Sequence, residues 1–109
     1  MIRQGDVLLI DEKELPSGAT PEEYDRGQSA SGDTGTIILA HGEATGHAHT
    51  IRSKYARTYT KGGNRYLVVR DNPVNLRHQE HDTLTIEPGV KRVIRQKEYA
   101  QQEVRNVAD

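Results

Sequence analysis

An all-β domain, a small barrel or sandwich of about seven or eight short, mostly antiparallel strands, is predicted by three features of the sequence. Runs rich in Val, Ile, Thr and Tyr recur along the chain. Turn signals built on Gly, Pro and Asn separate them at intervals of about eight to twelve residues. No stretch sustains the 3.6-residue apolar period of an amphipathic helix.

Residues 2–10 read as a first strand, with Val7, Leu8, Leu9 and Ile10 as its buried end. Residues 11–35 contain Pro16, Gly18, Pro21, Gly27, Gly32 and Gly35. That density of chain breakers reads as a long surface loop. Within it, Thr20 followed by Pro21 is an N-cap and first-position signal for one helical turn reaching Tyr24. Residues 36–40, 48–53 and 56–60 are further strand-like runs. Lys61-Gly62-Gly63-Asn64 joins the last of these to residues 65–70 and signals a hairpin, because primed turns need positive φ. Asp71-Asn72-Pro73 breaks the chain again. Residues 84–86 and 90–95 flank Glu87-Pro88-Gly89, a second hairpin signal. Residues 100–109 read as a polar tail that frays or forms one short helix.

The 109 residues are expected to form one domain, 1–109, around one core. Only 33% of them are hydrophobic, and Phe and Trp are absent, so Val, Ile and Leu must build the core with help from five Tyr. Mean hydropathy is -0.82, polar for a folded domain. A core this thin makes a metal ion or a partner subunit an expected source of stability, and a homodimer is expected. The lack of cysteine excludes disulfides, thiolate metal sites, iron–sulfur clusters and a Cys nucleophile. No secretory apolar region opens the chain, and the run Val7 to Ile10 is too short to span a bilayer. A cytoplasmic protein without a membrane partner is therefore expected. With 15 basic and 16 acidic residues well mixed, no duplex nucleic acid is expected either. A small anionic ligand or a nucleotide fits better. No P-loop, G-x-S-x-G elbow or H-E-x-x-H helix is present.

Chemistry concentrates in the histidines. Of the five, His47 and His49 form an H-x-H pair, and His78-Gln79-Glu80-His81 supplies two more; His41 reads as a surface residue. On a strand, residues i and i+2 share a face about 7 Å apart at Cα, which suits two bonds of about 2 Å to one ion. If the second group is extended, His78 and Glu80 share a face. If it turns, His78 and His81 converge. Gly42 and Gly46 bracket a loop that lifts Glu43 over the same place. The expected site therefore has His47, His49, His78 and His81 as metal ligands, Glu80 and Glu43 as catalytic bases, and Arg52 and Arg65 as substrate-binding cations.

An H-x-H pair followed by a distant histidine before a Pro-Gly turn resembles a reduced cupin. In that superfamily a β-barrel holds a metal ion through H-x-H, a glutamate a few residues later and a distant histidine. The resemblance implies His47, His49 and either His78 or His81 around a divalent ion such as Zn, Mn, Fe or Ni. Thr50-Ile51-Arg52-Ser53 holds no glutamate, so Glu43 or Glu80 would take that place. Residues 42–49, with His78-Gln79-Glu80-His81 and Arg95-Gln96-Lys97-Glu98-Tyr99, also resemble a family of small uncharacterised bacterial and phage proteins. That resemblance covers nearly the whole chain and implies no activity.

Three functions fit these residues. The first is a metal-dependent hydrolase of a small phosphate- or nucleotide-like anion, in which bound water has a pKa near 7. Iron held by two histidines and a carboxylate would turn the same site to oxygen chemistry. The second is a metal-independent phosphodiesterase of nucleotides or cyclic nucleotides, with two histidines as acid and base. His81-Asp82-Thr83 has the H-x-T spacing of such enzymes. The third is a non-catalytic module that binds a ligand or a protein, with Tyr55, Tyr59 and Tyr66 either stacking on it or filling the core.

Overall fold

The computed structural model describes residues 1–22, 36–41 and 47–96. Ten strands run through them: β1 (Ile2–Gln4), β2 (Val7–Glu12), β3 (Thr20–Pro21), β4 (Thr36–His41), β5 (Ala48–Arg52), β6 (Ala56–Lys61), β7 (Asn64–Val69), β8 (Val74–Arg77), β9 (Leu84–Ile86) and β10 (Gly89–Arg95). They form a six-stranded sheet ordered β1-β2-β10-β7-β6-β3 and a four-stranded sheet ordered β4-β5-β8-β9. All the pairings are antiparallel. The fold is thus all-β and a sandwich rather than a closed barrel.

The two sheets meet through their alternating apolar faces. Val7 and Leu9 of β2, Ala56 of β6 and Leu67 and Val69 of β7 come from the first sheet. Ile37, Leu39 and Ala40 of β4, Ile51 of β5, Val74 and Leu76 of β8 and Ile86 of β9 come from the second. No Phe or Trp contributes. Tyr66 is buried and Tyr55 packs against the cluster, so these two tyrosines fill interior volume. A bulge between Ile38 and Ala40 shifts the β4–β5 register. It lets Leu39 and Ala40, adjacent in sequence, both be buried. Arg65 holds this irregular backbone, donating from Nη1 to the Leu39 carbonyl and from Nη2 to the Ile38 carbonyl, while its Nε pairs with Glu22 at 2.7 Å.

Several elements differ from expectation. Residues 2–10 form two strands, not one. Gln4 pairs with Val7 across a two-residue turn, Gly5-Asp6, and φ is positive at Gly5 alone, the type II′ pattern. Thr20 and Pro21 do not open a helical turn. They form an edge strand against Tyr59 and Thr60 of β6, a place that tolerates the missing proline N–H. Glu87-Pro88-Gly89 does not close a hairpin. It carries the chain from β9 in the small sheet to β10 in the large one, where β10 inserts between β2 and β7. Gly62 and Gly63, at φ 59° and 81°, do close the expected β6–β7 hairpin. Most of the 11–35 loop and the polar tail lie outside the described residues.

Leu67 and Leu76 are fully buried on opposite sheets. Leu76→Ala is expected to cost about 2–5 kcal/mol in denaturant unfolding. Glu87→Ala, at an exposed turn, should stay within about 0.5 kcal/mol of the parent. Equal midpoints for the two would contradict this core.

Candidate functional site

One end of the sandwich gathers four of the five histidines. β5 begins at Ala48, so His47 lies just before the strand and His49 is its second residue. His49 shares the inward face with Ile51 and is 1% exposed. Opposite it on β4 is Ala40, small enough to admit the ring. The segment following β8 brings His78 over the cluster, with ring centroids 4.3 Å from His49, 4.6 Å from His81 and 5.7 Å from His47. Of the two arrangements the sequence left open at 78–81, the chain takes the bent one, in which His78 and His81 converge.

The partners of His49 come from the β1–β2 hairpin. Gln4, buried on β1, donates from Nε2 to the carbonyls of Leu76 at 2.8 Å and Asp82 at 2.9 Å. Both amide hydrogens are thereby committed, which turns Oε1 toward His49 Nδ1, 2.9 Å away. An amide oxygen only accepts, so the His49 Nδ1–H donates. In the neutral ring Nε2 then carries a bare lone pair. That nitrogen faces Asp6 Oδ1 at 3.2 Å. Asp6 is held in turn by Arg95, whose Nη2 and Nε donate to Oδ2 at 2.8 and 3.2 Å, and the Gln96 N–H donates to the Asp6 carbonyl.

Gly5 closes the floor. A Cβ there would lie 2.6 Å from His81 Nε2 and 3.2 Å from His49 Cε1, and φ is +58°. Both steric room and backbone conformation therefore demand glycine. On the outer side, Glu80 Oε1 stands 3.4 Å from His47 Nδ1, and its N–H donates to His78 Nδ1 at 3.0 Å. A neutral His78 ring therefore carries its hydrogen on Nε2.

Electrostatics follow the crowding. Burial is the largest influence on His49, pushing its pKa below the usual 6.5, and repulsion from His78 adds to it; the nearby Asp6 carboxylate opposes the shift without cancelling it. His78 moves the same way, through loss of solvent and the neighbouring His81 and His47. For Asp6, partial burial raises the pKa, yet the hydrogen bonds and charge of Arg95 hold it below the usual 3.8.

Among the described residues, no three His, Asp or Glu side chains stand as a ready-made metal cage. The His49 and His81 rings lie nearly parallel, 12° apart at 6.0 Å, so their nitrogens do not converge. The matched pair is His49 Nε2 and Asp6 Oδ1. Two ligands at about 2.0–2.2 Å from one tetrahedral ion lie about 3.3–3.6 Å apart, close to the 3.2 Å found here.

The remaining expected residues fall elsewhere. Glu43 lies outside the described residues. Arg52, at the far end of β5, is exposed on the face opposite His49 and Ile51. Arg65 is occupied by Glu22 and the β4 bulge, beside a cavity of about 300 Å³ that no clustered histidine lines. Gln4, Gly5, Asp6 and Arg95 were not expected at all. A Gly-Asp pair between strand-forming residues is itself a two-residue hairpin signal, and reading it would have placed Asp6 at a sheet end.

A family model matches residues 3–96, described as a domain of unknown function (DUF8820). The chain belongs to that family. Its span includes Gln4, Gly5, Asp6, the four clustered histidines and Arg95, so the whole cluster falls within the family domain. No curated protein and no solved structure matches the chain. No helix among the described residues is long and apolar enough to cross a membrane.

Because His49 and His78 bind protons less readily folded than unfolded, the unfolded chain gains protons first as pH falls below about 6.5. Thermal stability in chelator is expected to decline from pH 7 to 5, and to fall again below about 3.8 as Asp6 protonates. His49→Gln should flatten the upper part of a melting-temperature profile. An unchanged slope would show that other groups carry it.

Proposed function

We propose that this end of the sandwich binds one divalent metal ion through His49 and Asp6 and uses it to hydrolyse a small anionic ester. The observation that carries the reading is the His49 hydrogen-bond inventory. With Nδ1–H fixed by Gln4, a bare Nε2 lone pair faces a carboxylate oxygen at 3.2 Å. Two electron-rich atoms at that separation need a cation or a proton between them, and the spacing suits a metal ion. His81 is exposed, and its Nε2 lies over the same glycine as the His49 ring, so a side-chain rotation makes it the third ligand. Three protein ligands leave one position for water, whose pKa falls to about 7 on zinc.

In this reading the ligand set departs from the cupin order, because the carboxylate of Asp6 precedes the H-x-H pair in sequence and His47 is not a ligand. Glu80, 64% exposed and paired with His47, is the general base for the metal-bound water. His78, with Nδ1 engaged by the Glu80 N–H, stands on the substrate side rather than among the ligands. Gln4 is a positioning residue, because it sets which His49 nitrogen is available.

The His47–Glu80 pair favours a second reading, a metal-independent phosphodiesterase with His47 and His78 as acid and base. Activity that survives chelation would select it.

Metal content by plasma mass spectrometry, on protein purified without an affinity tag, decides between them. About one equivalent of Zn, Mn, Fe or Ni is expected, lost in Asp6→Asn and His49→Gln. Gln4→Leu, which removes the partner that sets the tautomer, should weaken metal binding about 10–100-fold. No metal on purification and no uptake on titration would overturn the metal reading.

A further inference from the structure

Beside the cluster, on the outer face of the small sheet, lies an open depression of about 360 Å³ lined by Ala48, Thr50, Arg77, His78, Gln79 and Thr83. Thr50 and Arg77 are cross-strand partners of β5 and β8, so their side chains stand on one face. Three other cations of the fold are already engaged. Arg95 is bound to Asp6, Arg65 to Glu22 and the bulge carbonyls, and Lys91 to Asp11. Arg77 is exposed and has no ion-pair partner among the described residues.

The lining is one-sided in its chemistry. The lining residues carry the Arg77 guanidinium, the hydroxyls of Thr50 and Thr83 and, since Nδ1 accepts from the Glu80 N–H, a His78 Nε2–H in the neutral ring as available donors. Gln79 Oε1 already accepts from the Ala48 N–H at 3.0 Å. Among the described residues no carboxylate lines the depression. Its volume lies at the small end of ligand sites, enough for a phosphate and a modest attached group. His78 belongs to both places. It lines the depression, and its ring packs 4.3 Å from that of His49.

We propose that this depression is a phosphate subsite, in which Arg77 grips two oxygens of a phosphate monoester or diester and His78, Thr50 and Thr83 donate to the others. Arg is suited to that role because its planar fork matches two phosphate oxygens at once. The substrate class of the hydrolytic reading is then a phosphate ester. The inference rests on that reading only for its catalytic meaning, since binding of the anion needs no metal.

The test is titration of inorganic phosphate into the full chain with chelator present, by calorimetry and by the histidine ring resonances. Saturable binding that perturbs His78 is expected. Arg77→Ala should weaken it at least tenfold and Thr83→Val severalfold. Arg70→Ala, at an exposed arginine that follows β7 in the other sheet, should leave it unchanged. Absence of saturable binding, or equal affinity in Arg77→Ala and the parent, would overturn the subsite. Asp6→Asn separates the two ideas, since it should lose metal and keep phosphate. Phosphate binding that depends on Arg77 in a chain that takes up no metal would uphold the subsite while removing the metal-centred hydrolase. Metal uptake with phosphate affinity indifferent to Arg77 would do the reverse.

Discussion

The carboxamide of Gln4 is the constraint on which this end of the molecule depends. It reaches from the edge strand of one sheet to two carbonyls and one imidazole of the other. All of its amide hydrogens and its oxygen are used, so the buried polar group is fully satisfied and its orientation has one solution. The Gln4 side chain therefore does two things at once. It ties the sheets together where apolar packing runs out, and it decides the tautomer of a buried histidine. Because the two tasks share the same hydrogen bonds, the site cannot be loosened without loosening the sandwich.

The need for such a tie follows from composition. Without Phe or Trp, the interior is a layer of Leu, Ile, Val and Ala with Tyr at its margins. Branched aliphatic side chains fill the middle of a sandwich well but leave its ends open. Polar tethers take over there. Arg65 holds the β4 bulge, and Arg95 and the Gln96 N–H hold Asp6. The arginines that look like free cations in the sequence are thus partly structural. Arg65 is the plain case, because a bulge exposes consecutive carbonyls and a guanidinium can reach both.

Local pattern was enough for the fold class, the β6–β7 hairpin and the grouping of His47, His49, His78 and His81. Each rests on short-range rules, namely strand period, turn chemistry and residue spacing. What escaped was whatever depended on pairing at long range. Glu87-Pro88-Gly89 has the chemistry of a hairpin turn, yet β10 finds better partners in β2 and β7 than in β9. Nothing within those three residues records that choice. Asp6 and Gln4 escaped for a related reason. Val7 to Ile10 dominates its neighbourhood as one apolar run, and the turn at Gly5 is hidden beside it. Glu43 and Arg52 were assigned by proximity in sequence to the H-x-H pair, whereas Arg52 lies across the sheet from His49, because successive strand residues alternate faces.

The placement of β10 has a consequence for how the protein comes into being. It is the last strand of the described chain and it enters the large sheet at a central position, with Leu9 and Arg65 both opposite Val93. Until it arrives, β1 and β2 have no neighbour to join them to β7, and Asp6 has no Arg95. A chain emerging from the ribosome can form the β6–β7 hairpin and the small sheet early, since those contacts are close in sequence. The histidines, however, meet their carboxylate only when the two ends of the domain have been brought together. Such non-local closure is intrinsically slow. The cluster is in effect a record of a completed domain, so a chain cut before β10 exposes histidines without the geometry to use them.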